Sequence, residues 1–170
     1  RIEQKFSLIN ESLKKDFGIQ KPKIAVLSID PHAGDGGVIG KDDQDILKPV
    51  LLEIASKNNL VFGPFSSDSF FGSGQHKKYD AVLAIYHDQG LIPFKTLSFG
   101  TGVNYTAGLK KVRTSPDHGT GYDIAGKGLA DSTSFKNAIF SAIEILKSRN
   151  LFEDLNKNSL NLSNSKTGKK

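Results

Sequence analysis

The chain contains no cysteine. That absence excludes disulfide bridges, thiolate nucleophiles and cysteine metal ligands together, and it fits a reducing, cytoplasmic setting. No apolar run approaches the ~20 residues that a membrane-spanning helix needs. The first residues read as an amphipathic helix rather than a charged-then-apolar leader, so neither a signal peptide nor a membrane partner is expected. A Gly-x-Gly-x-x-Gly motif after a strand is missing, as is a Walker A lysine motif, so any nucleotide must be held by another architecture. A basic stripe interleaved with aromatics is lacking too. Part of the net charge of +5 sits in Lys166, Lys169 and Lys170, while Lys77-Lys78 and Lys110-Lys111 are isolated doublets. No nucleic-acid partner is expected from that pattern. The doublets suit solvated surface or, less simply, attraction of small anions.

What is present is an ordinary globular composition, 37% hydrophobic and 24% charged over 170 residues, enough for one domain with a real core. Ile2, Phe6, Ile9, Leu13 and Phe17 recur at helical spacing, and Gly18 stands where a C-cap glycine belongs. This helix begins at residue 1 without a capping signal, which raises the expectation that the chain continues upstream. Ile24 to Ile29 reads as a buried strand, followed by the glycine-rich loop Asp30 to Gly40. Asp42 is the expected N-cap of a helix whose apolar face is Ile46, Leu47, Val50, Leu51, Ile54 and Ala55. Leu60 to Phe62 and Ala81 to Tyr86 read as strands, with Phe65, Phe70 and Phe71 as lid or core packing. Val103 to Leu109 and Lys111 to Thr114 read as further strands, and Ser134 to Ser148 as a helix with Phe135, Ala138, Ile139, Ala142, Ile143 and Leu146 on one face. No internal repeat is evident. Strands alternating with helices imply an α/β domain with a largely parallel sheet flanked by helices. Residues 1–152 are read as the folded portion and 153–170 as a polar, disordered tail.

Chemistry-bearing residues concentrate between Tyr79 and Gly128. An apolar strand leads into His87-Asp88-Gln89-Gly90, read as a turn just past a strand's carboxyl end, where open α/β sheets keep their ligands. Lys95, Asn104 and Arg113 follow, then Asp117-His118-Gly119-Thr120 and Asp123 to Gly128. His32 and His87 each lie in a glycine-bearing loop after a strand. Parallel strands end on one edge, so the two imidazoles could converge as metal ligands. On spacing alone, a purely local role for each is the more economical reading. Asp68 and Asp88 suit a metal ligand, an orienting group or a base, and equally a cap. Lys95 and Arg113 suit a phosphate or carboxylate, or else a surface position and a structural ion pair. The segment from His118 to Gly128 could line a flat ligand or form a turn-rich surface loop. His76, among polar neighbours, is expected to be exposed.

Asp30-Pro31-His32-Ala33-Gly34-Asp35-Gly36-Gly37, Tyr86-His87-Asp88-Gln89-Gly90 with Lys95, Gly102-Val103-Asn104, and Arg113 to Thr120 closely resemble the 4-hydroxythreonine-4-phosphate dehydrogenases of vitamin B6 biosynthesis. The likeness in order and spacing runs from about Lys23 to Ile145. The resemblance implies the fold of isocitrate and isopropylmalate dehydrogenases, with His118, Gly119, Thr120 and Asp123 in an adenosine-binding loop for NAD. It implies NAD-dependent oxidation of 4-phosphohydroxy-L-threonine, then decarboxylation to 3-amino-2-oxopropyl phosphate, in a cytoplasmic homodimer whose active site is shared across the interface. It further implies a divalent metal, zinc with magnesium or cobalt as alternatives, on His32 and His87. Lys95, Asn104 and Arg113 fall on substrate-binding positions, and Asp68 and Asp88 are candidates for supporting the metal or relaying the alcohol proton. Asp30 stands where the family usually carries asparagine. The family's proteins are about twice this length, so the resemblance is to a C-terminal half, with the third metal histidine and a substrate-holding His-Thr pair lying outside it. Two alternatives stand beside this reading. One is a paralogue acting on a threonate or erythronate phosphate, and the other is a non-catalytic dimerisation fragment.

Overall fold

Ile24, Ala25, Val26 and Leu27 are each 0% exposed, which makes their strand the centre of the molecule. The computed structural model describes residues 1–159. In it β1 (Lys23–Leu27) lies between β2 (Leu60–Phe65) and β3 (Ala81–Leu83), and both pairings are parallel. A central parallel strand is covered on both faces, so its sequence is continuously apolar and its side chains alternate between two cores. Ile24 and Val26 face Phe6 and Leu13 of α1 (Ile2–Lys15), together with Leu47, Leu51 and Ile54 around α2 (Lys48–Ser56). Ala25 and Leu27 face Phe70 of α3 (Ser67–Gly72), with Phe65, Phe71 and Tyr79 closing that side. The phenylalanines are therefore core packing, and Phe65 and Phe70 stack with centroids 5.1 Å apart.

The second half is built around α5 (Thr133–Lys157), on which a two-stranded antiparallel ribbon packs. Its strands are β4 (Val103–Tyr105) and β5 (Thr114–Pro116), both shorter than expected and the second displaced towards the C-terminus. The face of α5 that is buried carries Ser134, Ala138, Ile145 and Arg149, while Phe135, Ile139, Ile143 and Leu146 are 42–59% exposed. The expected apolar face is thus mostly outward. The ribbon instead covers a stripe of mixed polarity, in which Ser134 bonds the Gly102 carbonyl and Arg149 bonds Asp16. The helix also continues past Glu153 through Lys157, into the stretch read as a tail. Residues 160–170, the rest of that stretch, lie outside the described residues.

A buried ionic knot ties the halves together. Arg149 Nε donates to Asp16 Oδ1 at 2.5 Å, and Asp16 also accepts from the Tyr105 hydroxyl and from Ser12 Oγ at 2.7 Å. Arg149 Nη1 and Nη2 reach the Lys110 carbonyl and the Tyr105 hydroxyl, both at 3.2 Å. Burial pushes the Asp16 carboxyl up, but the hydrogen bonds from Arg149, Tyr105 and Ser12 outweigh it and hold the group below the ordinary aspartate range. Past α1, Gly18 takes the left-handed conformation (φ 71°) expected of it, and Phe17 packs edge-on to Tyr105.

Candidate active site

Because β1, β2 and β3 run parallel, the segments that leave their carboxyl ends open onto one edge of the sheet. They form a cleft of about 410 Å³ lined by Asp30, Pro31 and His32 after β1, Ser66, Ser67 and Asp68 after β2, and Tyr86 and Gln89 after β3. His32 lines this cleft, while on the β3 side it is Tyr86 and Gln89 that do so and His87 does not.

His32 sits in an unusual backbone. From His32 to Gly36 every residue has φ between 42° and 79°, a left-handed turn that costs non-glycine residues roughly 1–2 kcal/mol each. Two carboxylates enforce the turn. Asp43, fully buried, accepts the Ile29 and Asp30 amides at 2.9 Å, and Asp30 accepts the Asp42 amide at 2.9 Å. Asp42 itself makes no capping bond among the described residues. The expected cap is replaced by Asp30, reaching back from the preceding loop. A Cβ at Gly40 would lie 2.2 Å from the Asp30 carboxyl carbon, so that glycine is required by the contact.

Asp68 faces the loop, its Oδ2 3.7 Å from His32 Nδ1. Hydrogen bonds from Ser66 Oγ and from the Ser69 amide, with the His32 charge, hold Asp68 below the ordinary aspartate range. His87 and Asp88 do not form the expected turn. They are the first residues of α4 (His87–Leu97), and the strand before them ends at Leu83 rather than Tyr86. His87 Nδ1 lies 2.7 Å from Asp88 Oδ1. The helix starts there because Gln89 reaches back to the amides of Ile85 and Tyr86 at 2.8 and 3.4 Å, the return half of a capping box. Gly90, the last residue of the expected turn, and Pro93 are both accommodated within it.

The remaining candidates lie apart from this cleft. Lys95 is exposed on α4, Asn104 is exposed on β4, and Arg113 donates to Thr106 Oγ1 at 3.0 Å. His118, Gly119, Thr120 and Asp123 belong to an exposed series of turns, with His118 Nδ1 2.9 Å from the Gly119 carbonyl. His76 is not the exposed residue expected. A short helical turn folds it back against Phe71, ring centroids 5.6 Å apart, and its Nδ1 is buried without a partner among the described residues. Gln89, Ser66 and the Asp30–Asp43 pair were missed as site-shaping groups. A Gln three residues into the helix is the one sequence signal that could have found any of them.

Imidazole nitrogens beside carboxylates have the right chemistry for zinc, but the number falls short. Among the described residues no group of three or more His, Asp or Glu side chains is placed to hold a metal ion, whereas a catalytic zinc takes three protein ligands. No helix among the described residues is long and apolar enough to cross a membrane.

Two relatives, the 4-hydroxythreonine-4-phosphate dehydrogenases of Bacteroides thetaiotaomicron and Prosthecochloris aestuarii, are each 53% identical, over 148 and 144 residues. These matches cover 87% and 85% of this chain but 41% and 42% of the relatives, so the chain spans less than half their length. Among solved structures, the 4-hydroxythreonine-4-phosphate dehydrogenase of Klebsiella pneumoniae superposes with a TM-score of 0.72 at 40% identity, covering 85% of this chain and 44% of that one. A terephthalate 1,2-cis-dihydrodiol dehydrogenase of Burkholderia xenovorans gives 0.64 at 33%, covering 83% and 45%. The α/β fold is that of isocitrate and isopropylmalate dehydrogenases, as in these neighbours. Residues 1–142 match the model of the pyridoxal phosphate biosynthetic protein PdxA, and the chain belongs to that family.

Proposed function

We propose that this chain is the C-terminal portion of a cytoplasmic, homodimeric 4-hydroxythreonine-4-phosphate dehydrogenase. In the reaction NAD accepts hydride from the secondary alcohol of 4-phosphohydroxy-L-threonine and a proton is released. The resulting β-keto acid then loses carbon dioxide to give 3-amino-2-oxopropyl phosphate. The observation that carries this reading is the shared sheet edge, which gathers the His32 loop, Asp68 and the start of α4 in a family whose relatives bear that name.

His32 and His87 are the ligands this chain would contribute to a divalent metal, zinc by preference over magnesium or cobalt, and such an ion supplies Lewis-acid polarisation of the alcohol oxygen. Two imidazoles are too few, so the reading requires further ligands from outside the described residues, at a site shared across the dimer. Asp68, kept ionised by Ser66, and Asp88, beside His87, would orient the imidazoles or take up the alcohol proton. Lys95, Asn104 and Arg113 would meet the substrate, with Arg113 suited to bidentate phosphate binding. His118, Gly119, Thr120 and Asp123 would lie along the adenosine end of NAD. Both sets stand away from the 410 Å³ cleft in this chain, so the reading needs the rest of the protein to complete the pocket between them. A paralogue acting on another alcohol is the second reading, favoured by the likeness to the terephthalate dihydrodiol dehydrogenase. The higher identity of the hydroxythreonine-phosphate enzymes argues against it.

The test is NADH formation from 4-phosphohydroxy-threonine by the full-length gene product, with zinc or magnesium, beside the 170-residue chain. Activity in the full-length protein that disappears in His87→Ala supports the proposal. Turnover of threonate or erythronate phosphate but not of this substrate would replace it with the paralogue.

A further inference from the structure

The parallel ladder between β1 and β3 pairs Ile24 with Ala81, Ala25 with Val82 and Val26 with Leu83, and stops there. Continued in the same register it would set Ser28 opposite Ile85. Instead a side-chain amide stands between them. Gln89 Nε2 donates to the Ser28 carbonyl at 2.9 Å while its Oε1 accepts the Ile85 amide at 2.8 Å. The two strands part, and one planar amide satisfies the donor of one and the acceptor of the other, as buried backbone groups demand. Gly90, next in sequence, lets α4 lie close against Ala84, since a Cβ there would come within 3.0 Å of the Ala84 Cβ.

Ser28 leads into the left-handed turn that carries His32, and Ile85 leads into His87. We propose that Gln89 is a positioning residue: its amide is the spacer that holds the parted strands at a fixed separation, and so sets the His32 loop against the start of α4. The inference rests on the reading of these two histidines as metal ligands. Gln89 itself touches neither histidine among the hydrogen bonds described, and it acts through the main chain.

The absence of cysteine makes a direct distance measurement clean. Nitroxide labels on Val38→Cys, just past the left-handed turn, and on Ile92→Cys of α4 sit at positions 84% and 64% exposed. A control pair, Val38→Cys with Leu52→Cys on α2, does not cross Gln89. Pulsed electron paramagnetic resonance on the metal-free, substrate-free chain then compares Gln89 with Gln89→Met, which loses both bonds. It also compares Gln89→Glu, which keeps the acceptor for Ile85 but turns a carboxylate towards the Ser28 carbonyl. The expected result is a shifted or broadened 38–92 distribution in both variants, with the 38–52 distribution unchanged. An unchanged 38–92 distribution in Gln89→Met overturns the proposal. So does full restoration in Gln89→Glu, which would mean that Gln89 only caps α4. If Gln89→Met fails to fold, Gln89→Glu decides by the same criterion. Loss of fold in both variants also overturns it, because a local spacer is not needed for the core. No metal or substrate is in the sample, so this result is independent of the dehydrogenase assay.

Discussion

Asp30 and Asp43 each accept a hydrogen bond from the other's main chain, Asp30 N to Asp43 Oδ2 at 2.9 Å and Asp43 N to Asp30 Oδ2 at 3.4 Å. This reciprocal clasp closes the loop that carries His32. Asp43→Ala removes a fully buried carboxylate and leaves the part-buried Ile29 and Asp30 amides without their acceptor. It is expected to cost about 3 kcal/mol, at one to two per lost bond. Urea unfolding should show the midpoint falling with the slope unchanged.

His32 pays for its place in conformational strain, with φ at 52°. His32→Gly should therefore stabilise the chain by about 1 kcal/mol, while removing the imidazole that the proposed activity requires. A rise in the unfolding midpoint together with loss of NADH formation in the full-length protein is the expected pair of results. A fall in stability would mean that the side chain carries packing the geometry does not reveal.

Removing Arg149 leaves the Asp16 charge buried without its cation, held only by the Ser12 and Tyr105 hydroxyls. Arg149→Met is expected to cost about 3–5 kcal/mol, and Asp16→Leu in the same chain should recover part of it, giving a non-zero coupling in the double-mutant cycle.

The same knot fixes the signs of the pH dependence. The Asp16 carboxyl is depressed in the folded state, so its contribution is fully present above the unfolded aspartate value and is lost as pH falls through the folded one. The Tyr105 hydroxyl is raised, by burial first and then by its bond to Asp16. Its contribution is present below the unfolded tyrosine value and is lost as pH rises through the folded one. Stability measured by urea midpoints across pH should droop at both ends. Tyr105→Phe should flatten the alkaline limb. In Arg149→Met, burial of Asp16 acts with far less opposition, and the acid limb should shrink or reverse.

The outward stripe of α5 is unpacked within the described residues. Ile139→Ser, at 48% exposure, should change the unfolding free energy of this chain by no more than about 0.5 kcal/mol, as for other surface sites. Ala138→Ser, on the buried face, should cost more. Parallel denaturation curves for the two variants check the assignment of faces.

Local periodicity made much of the fold legible. The burial of β1 on both faces follows from its unbroken apolar run, and α1 from apolar residues three and four apart. That segments after β1, β2 and β3 open on one edge follows from parallel strands, although the residue found beside His32 there is Asp68 rather than the expected His87. What sequence could not show was contact between distant or atypical partners. Asp16 and Arg149 are 133 positions apart and obey no spacing rule. The start of α4 was hidden because His87 to Gly90 read as a turn, and Tyr86 is no ordinary N-cap. Tertiary hydrogen bonding through Gln89 overrode those local preferences. The outward stripe of α5 was misread as its core face because it is the more apolar one, whereas the buried stripe carries Ser134 and Arg149, whose hydrogen bonds to distant partners no pattern reveals.

The run of left-handed angles from His32 to Gly36 also carries a stereochemical consequence. For a D-amino acid those same angles are the ordinary helical well. Ala33, at φ 53° and ψ 36°, could thus be exchanged for D-alanine by chemical ligation without redirecting the chain, with the mirror-image residue the better fit. Among genetically encoded residues only glycine, and to a lesser degree asparagine and aspartate, enter this conformation cheaply. The loop's tolerance to substitution is therefore set by handedness before any question of chemistry arises.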